Sequence, residues 1–243
     1  MKDSNYTEMW TEKKFTEARV NKYHSKFFRL WQKHVKHYDQ VKAVKKMLSK
    51  PGLWADCPIG SGRLFETIEW NEKLGLDISE SFLTHNRLNG IECEKVDLNE
   101  LAIDARFDYV TSLHTLAAFS NFEEIVEKMI RSLKPGGKIL CDLPMHELEI
   151  NNTLAPKLWL QQRLETWDCE LISACPHDFW DSAKINHLRE PPSTLCKKAI
   201  SRLWAEYNRV YFKLKLGALM SLLSRGWPNS FYDKYLIILE KRK

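Results

Sequence analysis

The spacing of apolar positions divides this chain into a helical start, an alternating middle and a looser end. From Thr7 to Leu48 there is neither proline nor glycine. Apolar residues recur at threes and fours through Phe27, Leu30, Trp31, Val35 and Tyr38, then Val41, Val44, Met47 and Leu48. That period places them on one face of a helix, so the segment predicts one or two helices with basic outer faces, ended by the breaker pair Pro51-Gly52. Short apolar runs then predict strands at Leu53–Asp56, Lys73–Asp77, Cys93–Val96, Phe107–Ser112 and Lys138–Leu143. Helix-compatible segments lie between them at Arg63–Trp70, Glu80–Leu88 and Asn121–Leu133, and Lys134-Pro-Gly-Gly137 predicts a turn before the last strand. Strand and helix in this rhythm predict an α/β architecture, a doubly wound, mostly parallel sheet with helices on both faces.

After Pro144 the pattern loosens. Pro156, Pro176 and Pro191-Pro192 interrupt it, and Trp159, Trp167, Phe179 and Trp180 add aromatic bulk, which predicts an insertion over the active site. From Ser193 to Arg225 a long helical stretch carries Leu195, Ile200, Leu203, Trp204, Tyr207, Val210, Tyr211 and Leu214 on one side. Lys197, Lys198, Arg202, Arg209 and Lys213 lie on the other. The run Tyr235–Leu239 predicts a buried strand that closes the sheet. The chain thus divides into an N-terminal helical cap (1–50), a core (51–144), and a region (145–243) holding a lid or substrate-side insertion, the basic helix and the closing strand.

Charge follows the same division. The net charge of +5 is made of +8 over residues 1–50, −11 over 51–190 and +8 over 191–243. Basic ends on an acidic middle suit either an anionic substrate or surface, or ends that fold back and neutralise the centre. The cysteines Cys57, Cys93, Cys141, Cys169, Cys175 and Cys196 contain no CxxC pair, so neither a zinc site nor a disulfide framework is expected. No apolar run approaches the ~18 residues of a membrane span, and the start Met-Lys-Asp-Ser-Asn-Tyr is not a signal segment. A soluble, cytoplasmic protein is expected, with peripheral membrane contact left open.

The candidate chemistry lies at the ends of the predicted strands. The first is followed by Asp56-Cys-Pro-Ile-Gly60-Ser-Gly62, and glycine lets backbone approach a nucleotide-type cofactor at this place. At the end of the second strand, Asp77 stands where a carboxylate accepts hydrogen bonds from a ribose diol. At the third, Asp97 beside Leu98 suits an adenine amino group lying against an apolar wall. A nicotinamide dinucleotide is disfavoured, because Gly-x-Gly-x-x-Gly would need glycine at Phe65.

With these residues the chain resembles the class I S-adenosylmethionine (SAM) dependent methyltransferases, in particular the ubiquinone and small-molecule group. The resemblance covers roughly residues 50–144. Asp56…Gly60-Ser-Gly62, Gly75-Leu-Asp77-Ile-Ser79-Glu80, Val96-Asp97-Leu98, Phe107-Asp-Tyr-Val110 and Leu133-Lys-Pro-Gly-Gly137 stand in family order. It implies a seven-stranded Rossmann-like methyltransferase fold and SAM as cofactor, and in-line methyl transfer from a sulfonium requires no metal. By the same resemblance Asp56, Gly60, Ser61 and Gly62 would flank the amino-acid end of SAM and Asp77 with Ile78 would hold the ribose. Asp97 and Leu98 would take the adenine, and Thr111–Leu113 would pass beneath the cofactor, with Ser112 and Leu113 lining it.

Two positions depart from the family. The commoner loop Asp-x-Gly-x-Gly-x-Gly has Pro58 here at its first glycine, which removes one backbone donor, with Ile59 after it. After the fourth strand, where many relatives carry a histidine, the chain reads Leu116-Ala-Ala-Phe119. Methyl transfer from a sulfonium asks for positioning, exclusion of water and, for a hydroxyl acceptor, a base. His114, and His146 with Asp142, are the candidates, since both segments border the site in this fold. The Asn/Asp-Pro-Pro-aromatic signature of amino methylation is absent after the fourth strand, and no cysteine stands where the cytosine C5 enzymes carry their nucleophile. The expected acceptor is therefore an oxygen of a small molecule or glycan, which the basic ends would suit if anionic. A methyltransferase-like binding module without activity and an RNA methyltransferase are the alternatives.

Overall fold

Successive residues of a strand point to opposite faces of its sheet, and here both sets are apolar, so both faces are covered. The computed structural model describes residues 38–144, 156–177 and 234–243. Seven strands form one sheet: β1 (Trp54–Asp56), β2 (Lys73–Asp77), β3 (Cys93–Lys95), β4 (Phe107–Ser112), β5 (Leu133–Pro144), β6 (Cys169–His177) and β7 (Lys234–Lys241). Their order is β3-β2-β1-β4-β5-β7-β6, parallel except for β7, which runs antiparallel to both neighbours. Five helices are described, α1 (Tyr38–Met47), α2 (Arg63–Thr67), α3 (Glu80–Leu88), α4 (Phe122–Arg131) and α5 (Pro156–Thr166).

Two cores result. Ala55, Ile139, Cys141, Ile237 and Leu239 face one way, with Ile125, Val126 and Met129 of α4 and Trp159 of α5. Trp54, Leu140, Leu236 and Ile238, their neighbours in sequence, face the other, with Val44 and Met47 of α1, Leu64 and Phe65 of α2 and Leu83 of α3. Helix α4 shows why such a sequence folds so. Its buried positions 122, 125, 126, 129 and 130 make one stripe, Glu123 and Glu124 lie in its first turn, and Lys128 and Arg131 lie in its last, matching the helix dipole.

The strand expectations hold within a residue or two at β1 to β4, and the closing strand is β7. Two features differ. Strand β5 begins pairing at Leu133, and Lys134–Gly137 loops out as a bulge within it, so the expected turn between helix and strand lies inside the ladder. Residues 156–177, expected within an insertion over the site, build α5 and the edge strand β6. Strand β6 escaped notice because its sequence, CELISACPH, lacks alternation and contains a proline, which an edge strand tolerates. The helices expected before residue 38, the basic helix Ser193–Arg225 and His146 lie outside the described residues.

Strand order reverses at β1, which pairs with both β2 and β4. In an open parallel sheet this opens a crevice beyond the carboxyl ends of the strands, where ligands bind.

Candidate cofactor and acceptor site

Asp56 and Asp77 close β1 and β2, and Asp97 follows β3, so three carboxylates stand in a row along the carboxyl edge of the sheet. Asp56 is 4% exposed. Its Oδ1 accepts the Thr111 hydroxyl at 2.6 Å, and the Thr111 oxygen in turn accepts the Trp54 indole N–H at 3.0 Å. Burial pushes the Asp56 carboxyl up to about 7, with Thr111 and the Arg63 cation opposing the rise. Burial likewise raises Asp77 to about 6, against backbone N–H groups of Ser79, Gly60 and Ile78 that hold its charge.

Asp77 also anchors the loop. Its Oδ2 accepts the Gly60 N–H and its Oδ1 the Ser79 N–H, each at 2.9 Å. Asn86 of α3 donates to the Gly60 carbonyl at 2.8 Å, so both sides of Gly60 are held. The irregular start of the loop has a structural use. The Cys57 N–H bonds to Thr111 O and the Ile59 N–H to Leu76 O, so the donor missing at Pro58 falls between two donors in use. The Ile59 side chain packs where a Cβ on Gly75 would collide with it. The two loop glycines serve different ends. Gly62, at φ +69°, has no room for a Cβ beside the Asn86 side chain, whereas Gly60, at φ +52°, would meet nothing within 4 Å.

That open approach at Gly60 fits the cofactor that the sequence implies. The Ser112 hydroxyl, fully buried at the end of β4, has no hydrogen-bond partner among the described residues, which also fits a polar ligand there. Asp97 Oδ1 caps the turn Leu98–Glu100, accepting the Asn99 N–H at 2.9 Å. Leu98 is buried in the core, Ile78 and Leu113 are half-buried, and Ser61 lies between the two glycines.

The second cluster lies past β4. His114 adopts φ +61°, a left-handed conformation that few non-glycine residues take, though histidine is among those that take it more often. Asp142 of β5, 1% exposed, supports it: its two carboxylate oxygens receive the His114 backbone N–H at 2.9 and 2.8 Å, and Oδ2 lies 3.5 Å from the ring Nδ1. The opposite ring nitrogen, Nε2, lies 2.5 Å from the Gln40 side-chain nitrogen. Gln40 Oε1 accepts from Arg63 Nη2 at 3.1 Å. Burial pushes the Arg63 guanidinium down to about 9, with Asp56 and Glu66 opposing, and it stays cationic at neutral pH.

The expected pairing of Asp142 with His146 lies outside the described residues; among the described residues Asp142 holds His114. Gln40 and Asn86 were not among the expected site residues, though each left a signal. Gln40 precedes Val44 and Met47 by four and seven positions, and Asn86 follows Phe82 and Leu83 by four and three. Each is a polar residue on an apolar helical stripe, and both are buried.

A mostly parallel seven-stranded sheet with a glycine loop at its switch point and carboxylates on three successive strand ends has the Rossmann-like methyltransferase fold. Residues 55–141 match the family model described as "Methyltransferase domain". Demethylmenaquinone methyltransferases of Bacillus cereus and Bacillus mycoides are each 30% identical over 120 residues, 46% of this chain and 49% of theirs. The chain thus spans about half the length of the curated relatives it matches. Among solved structures, a SAM-dependent methyltransferase from Thermotoga maritima superposes with a TM-score of 0.55 at 16% identity, covering 93% of this chain and 97% of that one. Phosphoethanolamine N-methyltransferase 2 of Haemonchus contortus, in complex with SAM, gives 0.56 at 14% identity, covering 96% of this chain and 59% of that one. These likenesses show the fold. Among the described residues no helix is long and apolar enough to cross a membrane, and no His/Cys/Asp/Glu group is arranged to hold a metal ion.

Proposed function

We propose that the chain transfers the methyl group of SAM to an oxygen of a small-molecule or saccharide acceptor, with His114 as the base. The observation that carries this reading is the imidazole of His114 held between Asp142 and Gln40, since an oriented imidazole is the residue type that takes a proton from a hydroxyl near neutral pH. SAM supplies an electrophilic methyl on a sulfonium. Asp56 would face its ammonium, Asp77 and Ile78 the ribose, Asp97 and Leu98 the adenine, and Gly60, Ser61, Gly62, Ser112 and Leu113 would line its path. His114 would withdraw the acceptor's hydroxyl proton as the oxygen attacks, and Asp142 would stabilise the imidazolium that forms. The basic segments at both ends would suit an anionic acceptor.

The relatives named as demethylmenaquinone methyltransferases support a second acceptor class, a demethylmenaquinone-like small molecule. The same base would serve it. Calorimetric titration of the full chain with SAM and with its demethylated product tests the cofactor assignment, and absence of binding by both would sink it. Mass spectrometry of metabolites labelled from methyl-labelled SAM separates oxygen from carbon or nitrogen products.

A further inference from the structure

Gln40 lies on the buried stripe of α1 and is 0% exposed. A primary amide so placed is costly unless both of its ends are satisfied. Its two ends differ chemically, and which end faces which way is normally ambiguous. Here Arg63 resolves it. A guanidinium has donors and no acceptor, so the amide atom 3.1 Å from Arg63 Nη2 must be the oxygen. The amide nitrogen then faces His114 Nε2 at 2.5 Å, and as an N–H donor it requires a lone pair there. A neutral imidazole with Nε2 unprotonated carries its proton on Nδ1, the nitrogen that lies 3.5 Å from Asp142 Oδ2. Each link constrains the next, from the end of the cofactor loop, across α1, to β5.

We infer that Gln40 is a positioning residue that sets the tautomer of His114, with Arg63 as the group that orients it. This rests on the reading of His114 as the base and adds how that base is prepared. The lone pair on Nε2 is the one an acceptor hydroxyl must reach. An acceptor hydroxyl must take the place of the Gln40 N–H on that lone pair, and the ring then needs no tautomer change before it receives the proton. Arg63 follows Gly62 directly, so the same loop that meets the cofactor orients the amide.

The test is a long-range proton–nitrogen correlation spectrum of the full chain labelled with nitrogen-15 histidine at about pH 8, with His114 assigned through His114→Asn. The expected wild-type pattern is a protonated Nδ1 and an unprotonated Nε2. Gln40→Leu should let the Nε2–H form in, and Arg63→Leu, which leaves the amide present but unoriented, should do the same. Gln40→Glu puts an acceptor opposite Nε2 and should place a proton on it, an inversion that a merely space-filling role would not produce. On a methylated acceptor, Gln40→Leu should lower kcat on the order of 10- to 100-fold with a smaller change in KM. A wild-type spectrum with Nε2 protonated overturns the inference whatever the variants do, as does an unchanged tautomer in a folded Gln40→Glu protein. Failure of SAM to bind, with the tautomer as expected, would strike the proposed function and leave this inference standing.

Discussion

The Asp77 carboxylate accepts the Gly60 N–H at 2.9 Å, so the group assigned to the ribose is also the anchor of the glycine loop. The two tasks use the same side chain, and its loss should be felt in both. For Asp77→Ala, SAM affinity by calorimetry is expected to fall about 10- to 150-fold, the equivalent of about 1.5–3 kcal/mol for bonds to a charged acceptor. Stability without cofactor should fall by about 1–3 kcal/mol in denaturant melts, because the Gly60 and Ser79 N–H groups lose their partner. A loss of affinity with unchanged stability would mean that the loop does not depend on this bond.

The two loop glycines should respond differently to alanine. Gly62→Ala forces a left-handed alanine at φ +69° and drives a methyl into Asn86, so an unfolding penalty above about 2 kcal/mol is expected. Gly60→Ala meets only the backbone cost at φ +52°, about 1–2 kcal/mol, but places its methyl in the open approach proposed for the cofactor. Equilibrium denaturation and SAM titration together should show stability loss dominating at Gly62 and affinity loss at Gly60.

Burial raises Asp56 from 3.8 to about 7. A carboxyl that binds its proton more tightly in the folded state loses stabilising effect as pH climbs from about 4 through about 7, and above that the buried charge costs its full amount. Asp56→Asn retains an acceptor for the Thr111 hydroxyl and removes that charge. It should stabilise the cofactor-free protein more at pH 8 than at pH 5, by about 1–2 kcal/mol in denaturant midpoints. In the wild-type protein, SAM binding that uses the ionised Asp56 should weaken on acidification from pH 8 to pH 5.5, with protons released on binding and visible as a buffer-dependent enthalpy. A flat pH dependence would remove Asp56 from the ammonium subsite.

His114→Asn isolates the imidazole from its backbone. Asparagine tolerates φ near +61° better than most residues and keeps the N–H that Asp142 accepts. SAM affinity should therefore stay within about twofold, well under the tenfold that ~1.4 kcal/mol represents. Incorporation of labelled methyl into a small-metabolite extract should fall by about 10²–10⁴-fold, the usual loss of a general base. Retained turnover would exclude His114 from proton transfer.

Those parts of the protein whose causes are local are legible in its sequence. Short apolar runs mark β1 to β5 and β7, because each strand is apolar over its own few residues. The carboxylates Asp56, Asp77 and Asp97 were legible because each stands where a recognisable strand ends. Proximity in three dimensions was decided by tertiary structure alone. Gln40 and His114 are 74 positions apart, His114 and Asp142 28, and Gln40 and Arg63 23, and no sequence period links them. They meet because α1 packs on the same sheet face as α2, over strands whose carboxyl ends lie side by side. The edge strand β6 belongs with them. Its pairing with β7 is made by backbone groups from the far end of the chain, and hydrogen bonds of that kind leave no pattern in side chains.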